Sequence, residues 1–417
     1  MMLRALYTLL LCLGLPLIAI RLWLRSRREP GYSKRVGERF GLYAIAARAP
    51  VLWVHAVSVG EVRASVPLVT SLRAQHPDHT LLVTCMTAAG RDAIGQAFGS
   101  TVVGAFLPYD YPFAVRRFLD HFRPHLCVLI ETEIWINMLA ECRHRALPVV
   151  LASARMSPGS CRGYRRLSML TRPAFEGFAA VCAQSEADAD RIASLGAHRV
   201  KVAGNLKFDF EPDPGLLKVG ADLKRSFGGR RALLLASTRE GEEALLLEAL
   251  KGRLTEDTLL VLVPRHPQRF DAVAAVIGAA GLTYVRRSSG GAVGDARVLL
   301  GDSMGEMPSY YAAADVAMIG GSLLPFGGQN LIEACAIGVP VIVGPHVYNF
   351  SEAVRLAVES GAAIQADNAH AVADCAIALL GDPARRRAMG SAGTALCRLH
   401  RGSTEAHLEV IEALMRR

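Results

Sequence analysis

The chain has 417 residues, of which 51% are hydrophobic and 20% charged, and its formal net charge is +9. This composition is globular and long enough for two domains, which excludes a disordered or fibrous chain. The positive charge favours an anionic partner such as nucleic acid, anionic lipid or a phosphorylated substrate, although a basic protein needs no such partner. Nine scattered cysteines without a C-x-x-C pair argue against a disulfide framework and a zinc ribbon, and they indicate a reducing compartment.

The N-terminal segment Ala5–Leu24 is apolar apart from Arg21. A helix of about 20 such residues is the minimum that crosses a bilayer. Arginines follow the segment and only Arg4 precedes it, so the remaining chain should stay cytoplasmic. A cleaved signal peptide would have the opposite charge order. We therefore predict an uncleaved membrane anchor over residues 1–29, with a helix lying in the membrane interface as the alternative.

From Val51 onward, short apolar runs alternate with helix-length amphipathic stretches, which is typical of βαβ units in a doubly wound parallel sheet. The predicted strands of the first half are Val51–His55, Leu81–Thr84, Cys127–Ile130, Val149–Ala152 and Ala179–Ala183. Those of the second half are Ala232–Ala236, Leu259–Val263, Val298–Leu300, Val316–Ile319 and Val341–Val343.

The segment Phe208–Gly220 interrupts this alternation and contains Glu211-Pro-Asp-Pro-Gly215, which is typical of a linker. We therefore predict an N-terminal α/β domain over residues 30–208, a linker over 209–220 and a C-terminal α/β domain over 221–417. Ligands of such sheets bind beyond the carboxyl ends of the strands, so we expect the site in a cleft between the two domains.

The first predicted strand runs into a loop that ends at Glu61, beyond the strand's carboxyl end. Its carboxylate can accept a proton from an attacking hydroxyl. The alternative is an acidic residue in the first turn of a helix, stabilised by the helix dipole.

The strand Cys127–Ile130 runs into Glu131-Thr-Glu133. On an extended segment these two carboxylates share one face. They otherwise flank a helix N-terminus capped by Thr132. Lys207, at the end of the first domain, is either a ligand for phosphate or carboxylate or a solvated surface residue.

In the second half, Pro264-Arg265-His266-Pro267 follows a predicted strand, and its prolines fix a turn that suits a nucleotide phosphate or base. Ser322–Glu333 is a glycine-rich loop between a strand and a helix, an arrangement that binds anions. Glu333 can accept hydrogen bonds from ribose hydroxyls, or is a solvated glutamate in an ordinary turn. The fingerprints of dinucleotide-binding and P-loop proteins are absent from the sequence.

Metal-ligand patterns are poor. His121 and His125 have suitable spacing, but Pro124 should end the helix that would align them, and H-E-x-x-H is absent. We therefore expect a site without metal or other cofactor.

Taken together, these motifs resemble the 3-deoxy-D-manno-octulosonic acid (Kdo) transferase family of lipopolysaccharide synthesis. The resemblance extends from the anchor to about Glu359. Its motifs are Arg35–Gly41, His55–Glu61, Leu107–Asp110, Glu131–Trp135, Lys207–Asp209, Val263–Pro267, Gly301–Glu306, and Gly344–His346 with Asn349-Phe350.

The resemblance implies a GT-B fold of two Rossmann-like domains and an inverting, metal-independent transfer of Kdo from CMP-Kdo to the lipid A precursor lipid IVA. It implies Glu61 as the general base and Glu131 and Lys207 as transition-state stabilisers. It also implies that CMP contacts Arg265, His266, Met304, Gly305, Glu306, Asn330, Leu331, Ile332 and Glu333.

The implied location is the cytoplasmic leaflet of the inner membrane, with a single-pass N-terminal anchor, cytoplasmic catalytic domains and no nucleic acid partner. The motifs are compatible with transfer of one, two or more Kdo units. Two positions depart from the family pattern. Gln329 stands where the family usually has histidine, and Leu331 stands where it has proline.

Two other functions remain open. One is a GT-B enzyme that uses a UDP-sugar, or a related nucleotide-sugar epimerase, which shares the fold but does not explain the anchor combined with the Glu61 loop. The other is a non-catalytic, membrane-bound lipid-binding scaffold, which does not require Glu61.

Overall fold

The computed structural model of the protein describes residues 2–28 and 30–416. The chain forms two compact units. One contains the chain up to Asp209 together with the segment from Gly402 onward, and the other is Phe210–Arg401.

The first unit is a seven-stranded parallel sheet in the order β3-β2-β1-β4-β5-β6-β7. Its strands β1 to β7 are Val51–His55, Thr80–Cys85, Val103–Phe106, Pro124–Ile130, Val149–Ala154, Ala180–Ala183 and Val200–Val202. Its helices α1 to α10 are Met2–Leu13, Leu15–Arg28, Val59–Ala64, Val66–Gln75, Ala88–Phe98, Pro112–Phe122, Ile136–His144, Pro158–Arg166, Ser168–Glu176 and Glu186–Ser194.

The second unit repeats this architecture, with the order β10-β11-β9-β8-β12-β13-β14. Strands β8 to β14 are Arg231–Thr238, Thr258–Pro264, Tyr284–Arg286, Val298–Leu300, Val316–Ile319, Val341–Val343 and Ala363–Gln365. Helices α11 to α18 are Pro214–Ser226, Glu242–Leu250, Phe270–Ala279, Met307–Ala313, Ile332–Ile337, Ser351–Glu359, Ala369–Gly381 and Pro383–Leu399, and the last helix of the chain, α19, is Ser403–Met415.

All ten predicted strands are confirmed, each within a few residues of its predicted ends. The four strands that the sequence did not predict, β3, β7, β10 and β14, are the edge strands of the two sheets. An edge strand pairs on one side only, is covered less completely and needs fewer apolar residues. Val200-Lys-Val202 and Tyr284-Val-Arg286 show this, since both are partly exposed. Two α/β units with parallel sheets are consistent with the GT-B fold.

The boundaries of the compact units differ from the predicted domain boundaries at two places. Pro214 begins helix α11, with Asp213 as its N-cap, so most of the predicted linker over 209–220 is helical. Helix α19 belongs to the first unit rather than to the predicted domain 221–417. Its Leu408 and Ile411 are buried in the core of the first unit. The Ser153 amide also donates to its His407.

The N-terminal segment is broken at Gly14 into helices α1 and α2. Among the described residues, no single helix has the length and apolarity to cross a membrane, and only the pair Met2–Leu13 and Leu15–Arg27, bent by 47°, meets those criteria together. Helix α1 is joined to the rest of the first unit by polar contacts, because Tyr7 donates to Asp110 at 3.0 Å and Tyr111 donates to the Leu11 carbonyl at 2.8 Å.

Candidate active site

The loop after β1 places Glu61 in the first turn of α3. Ser58 caps this helix by accepting from the Glu61 amide at 3.5 Å, and its hydroxyl donates back to the Glu61 carboxylate at 2.9 Å. The other carboxylate oxygen accepts from the Val57 amide at 2.7 Å. Ser58 is therefore the N-cap, and the helix-start arrangement is present, with the Glu61 side chain accepting from the N-cap hydroxyl and from the amide before it. It also holds the carboxylate in one fixed orientation.

The environment of Glu61 favours its protonated form. Burial, and then the negative charge of Glu131, raise its pKa to about 7, against the opposing effects of the Val57 and Ser58 hydrogen bonds and the charge of Lys207. A carboxylate with a pKa near the working pH is a much stronger proton acceptor than an ordinary glutamate, and it is still ionised in a large fraction of molecules. This property goes beyond what capping requires.

Glu131 and Lys207 form an ion pair. Lys207 lies in a 3-10 helix, Leu206–Asp209, and its Nζ is 2.5 Å from Glu131 Oε1. The side chains of Lys207 and Glu131 are only 14% and 18% exposed. The alternative of a solvated surface lysine is therefore wrong.

The segment that carries Glu131 and Glu133 has neither of the two predicted conformations. Glu131 has a φ of +65°, so the chain is not extended there. Helix α7 begins only at Ile136, so Thr132 does not cap it, and its hydroxyl donates instead to the Arg155 carbonyl. A left-handed backbone costs roughly 1–3 kcal/mol in a residue other than glycine, and such strain is concentrated at functional sites.

Glu133 is the second carboxylate that the sequence places in this loop. Trp135 Nε1 donates to its carboxylate at 2.8 Å. Its loop follows β4, which pairs with β1, the strand whose loop carries Glu61. Burial, and then the charge of Glu61, raise the pKa of Glu133 to about 8. The first unit therefore brings three glutamates and one lysine together beyond the carboxyl ends of its strands.

Other acidic residues of the motifs hold the fold. Asp110 accepts the Asn137 and Met138 amides at the start of α7, at 3.0 and 2.8 Å. Asp209 accepts the Gly402 amide at 2.8 Å, ahead of α19. The presence of these two aspartates in the motifs is therefore explained by their structural hydrogen bonds, without a chemical role.

In the second unit, the turn after β9 presents Arg265 and His266. The Arg265 amide donates to the Thr238 carbonyl at 3.0 Å, and its Nε donates to Gln329 Oε1 at 3.1 Å. Gln329, which replaces the usual histidine of the family, thus orients an arginine. Burial, and then Arg265 and Arg239, lower the pKa of His266, so its environment is already cationic.

The loop after β11 carries Met304, Gly305 and Glu306 beside the Arg265 turn, because β11 and β9 are neighbouring strands. Gly305 has a φ of +87°, which glycine adopts without strain. Glu306 accepts from Arg287 at 3.0 Å and precedes helix α14, while the Met304 side chain is largely exposed. The loop is therefore fixed by the Glu306 hydrogen bond, and the Met304 side chain is accessible to a ligand.

The glycine-rich loop after β12 is held by a residue that the sequence analysis missed. Glu242 is completely buried and accepts backbone amides from Arg239, Gly321 and Leu323, at 2.8, 2.6 and 2.9 Å. It follows the carboxyl end of β8, and the rule that ligands bind at these ends would have indicated its neighbourhood.

The residues at the end of this loop differ in which of their groups a ligand can reach. Asn330 donates to Glu333 at 3.1 Å and accepts the Ile332 amide at 3.1 Å. Leu331 and Ile332 are each 1% exposed, so only their backbone is available to a ligand. Helix α15 has only six residues, so its dipole offers an anion less than the sequence pattern suggested.

All the loops with candidate ligands in the second unit follow the carboxyl ends of adjacent strands, β11, β9, β8 and β12, at one edge of the sheet. Among residues 2–28 and 30–416, no group of three or more histidine, cysteine, aspartate or glutamate side chains is arranged to hold a metal ion. His121 lies at the end of α6 and His125 on β4, separated by Pro124 as predicted.

Comparisons with known proteins agree with this organisation. Residues 34–210 match the family model of the 3-deoxy-D-manno-octulosonic-acid transferase (kdotransferase), and residues 287–395 match glycosyl transferases group 1. The chain is 45% identical to the 3-deoxy-D-manno-octulosonic acid transferase of Bordetella pertussis, over 98% of this chain and 99% of that protein. It is 34% identical to the transferase of the same name from Haemophilus influenzae, over 99% of each chain.

Among solved structures, the chain is similar to HepE of Anabaena in complex with UDP, with a TM-score of 0.60. The identity is 15%, and the similarity covers 88% of this chain and all of that one. This likeness supports the fold alone.

Proposed function

The chain belongs to the 3-deoxy-D-manno-octulosonic acid transferase family of lipopolysaccharide synthesis and is a glycosyltransferase, and from this premise we propose that it transfers Kdo from CMP-Kdo to lipid IVA with Glu61 as general base. The observation that carries the proposal is the cluster of Glu61, Glu131 and Lys207 in the first unit, where a buried carboxylate has a pKa of about 7.

In this reaction a sugar hydroxyl of the acceptor attacks C2 of Kdo from the face opposite the nucleotide. The new C2–oxygen bond forms as the bond from C2 to the phosphate oxygen of CMP breaks, which inverts the configuration at C2. Glu61 takes the hydroxyl proton, and CMP leaves with the electron pair of the broken bond. CMP is a stable phosphate monoester, so its departure requires no metal ion to offset its charge.

The ion pair between Glu131 and Lys207 places a positive charge in the site. Glu131 engages Lys207 and holds the ammonium group beside the base. This ammonium group can stabilise the negative charge that develops during the transfer, because it is already desolvated and oriented. In the second unit, Arg265 supplies positive charge and hydrogen-bond donors for the CMP phosphate, the neutral imidazole of His266 supplies one further donor, and Glu333 supplies an acceptor for ribose hydroxyls.

A UDP-sugar enzyme or epimerase remains a weaker candidate. Its support is the fold likeness to UDP-binding proteins, which share too little sequence to indicate the donor. The carboxylate cluster and the family motifs favour CMP-Kdo. A scaffold without catalysis has no use for a glutamate whose pKa is about 7.

We also propose that the bent helix pair attaches the enzyme to the cytoplasmic leaflet of the inner membrane. Many leucines of α1 and α2 are exposed, Leu10, Leu13 and Leu17 among them. Protease added outside spheroplasts should leave residues beyond Pro30 uncut, because the arginines after Leu24 oppose translocation. Digestion from the outside would reject this topology.

The direct test of the function is incubation of the purified enzyme with preformed CMP-Kdo and lipid IVA in excess EDTA, with mass spectrometry of the lipid. The expected result is a lipid heavier by one or more Kdo units, and CMP released in equal amount. An unmodified lipid, or transfer from a UDP-sugar under the same conditions, would overturn the proposal.

Arg265→Ala and Glu333→Ala should each raise the KM for CMP-Kdo by roughly ten-fold or more, because each removes a charge-assisted hydrogen bond of about 1.5–3 kcal/mol. The matched control is Arg253→Ala. Arg253 lies in the same unit, in the segment that leads into the amino end of β9, where it pairs with Asp374. Unchanged donor kinetics in both site variants would place the nucleotide elsewhere.

A further inference from the structure

We propose that Glu133 works as a neutral carboxyl group, keeping its proton while Glu61 is ionised, so that its ionisation turns the site off. The inference deepens the proposed function and rests on it, because its readout is the Kdo transfer reaction. Glu133 belongs to the same cluster as the base, and the transition-state roles proposed above use only Glu61, Glu131 and Lys207.

The three carboxylates differ in the hydrogen-bond donors and positive charges that lie next to them. Glu131 has the Lys207 ammonium group at 2.5 Å. Glu61 has the Val57 amide and the Ser58 hydroxyl. Glu133 has a single neutral donor, the indole of Trp135, and within the described chain no lysine or arginine forms an ion pair with it. It is therefore the carboxylate whose ionised form is least supported.

The net charge of the cluster also depends on whether Glu133 is protonated. With all three glutamates ionised, the cluster would contain three negative charges against one ammonium group. The donor brings a carboxylate and a phosphate, and both would be repelled. A proton on one glutamate halves the excess negative charge while leaving a base, and Glu133 is the carboxyl group where that proton is held most readily.

The order of ionisation agrees with this assignment. Burial and the charge of Glu61 raise the pKa of Glu133 to about 8, whereas the pKa of Glu61 is raised to about 7. An acid with the higher pKa keeps its proton longer as pH rises, so Glu61 ionises before Glu133. The titratable groups that face Glu133 are Glu61, Glu131 and the phenol of Tyr164, whose own pKa the charge of Glu133 helps to raise.

The test is the pH dependence of kcat/KM for Glu133→Gln beside wild type. Glutamine keeps the shape and can still accept from Trp135, but it cannot ionise. Both enzymes should show the rise near pH 7, and only wild type should decline near pH 8. The ratio of variant to wild-type rate should therefore increase about tenfold from pH 7 to pH 9, since one unit above its pKa about a tenth of an acid stays protonated.

A ratio that is constant across pH would overturn the proposal and show a structural role only. Because both enzymes use the same CMP-Kdo preparation, decay of the donor cancels in the ratio. Melting temperatures at pH 7 and pH 9 exclude unfolding as the cause of the decline. Tyr164→Phe is the matched control, and it should keep the decline. Loss of the decline in Tyr164→Phe would assign it to the phenol instead.

Trp135→Phe provides a second route if Glu133→Gln does not fold. Its indole hydrogen bond supports the ionised form of Glu133, so its loss should move the decline to higher pH. A decline at an unchanged pH would contradict the assignment. Failure of the proposed function looks different, since wild type would then form no Kdo product at any pH.

Discussion

Glu61→Gln is expected to lower turnover by about 100- to 10,000-fold, because general-base catalysis contributes on that order and an amide cannot take the proton. Glutamine keeps the size of the side chain, and its carbonyl oxygen can still accept the Val57 amide. Binding of CMP, which we assign to the second unit, should be close to that of wild type. The measurement is single-turnover transfer from CMP-Kdo, with calorimetric binding of CMP alongside.

Stability separates the catalytic role of Glu61 from its capping role. Its pKa is raised on folding, so its contribution to stability is fully present below the unfolded pKa and is lost as pH rises through about 7. Glu61→Gln should therefore melt at or above the wild-type temperature at pH 8. Ser58→Ala is the control for capping, because it removes the N-cap, at a cost of about 1 kcal/mol, and keeps the Glu61 carboxylate, which loses only the hydrogen bond from the Ser58 hydroxyl. If Glu61→Gln turns over within a few-fold of wild type, the base is another residue.

Lys207→Met should be the variant with the largest loss of stability among those considered. It leaves the Glu131 carboxylate without its cation in a site where both side chains are mostly buried. Removing one partner of a buried ion pair typically costs roughly 3 kcal/mol or more. Turnover should also fall sharply, because the ammonium group next to the base is lost. Urea unfolding and transfer kinetics measure the two effects.

The double variant Lys207→Met with Glu131→Gln removes both partners of the ion pair and is compared with the single variant Lys207→Met. Without the stranded charge, most of the lost stability should return, since neutral replacements of a buried pair are often tolerated. Turnover should stay low. If turnover recovered together with stability, the pair would be structural and the ammonium group would have no part in the transfer.

The sequence predicted the interior of both sheets because buried parallel strands are continuous apolar runs, such as Val51–His55 and Leu259–Val263. It missed the edges for the same physical reason, since Val200–Val202 and Ala363–Gln365 are short and partly exposed. Elements whose stability comes from packing on one side only leave a weaker pattern in the sequence.

At the site, residue types were predictable and conformations were not. The position of Glu131 after a strand fits either a ligand-facing carboxylate or an acidic residue at a helix start, and its φ of +65° and its pairing with Lys207, 76 positions away, depend on tertiary structure. Glu242 was missed because a glutamate that accepts backbone amides of a distant loop looks like any glutamate at a helix start.

The return of helix α19 to the first unit bears on how the two units can be studied separately. The chain leaves that unit at Asp209 and re-enters it at Gly402, and the Asp209 carboxylate accepts the Gly402 amide at 2.8 Å. Excision of 210–401 would therefore leave two ends already side by side, so a connector of a few glycines and serines would rejoin them. The excised fragment would keep all seven of its strands for nucleotide titrations in the absence of Glu61, Glu131 and Glu133. Truncation at 209 alone would instead strip Leu408 and Ile411 from the core and favour aggregation.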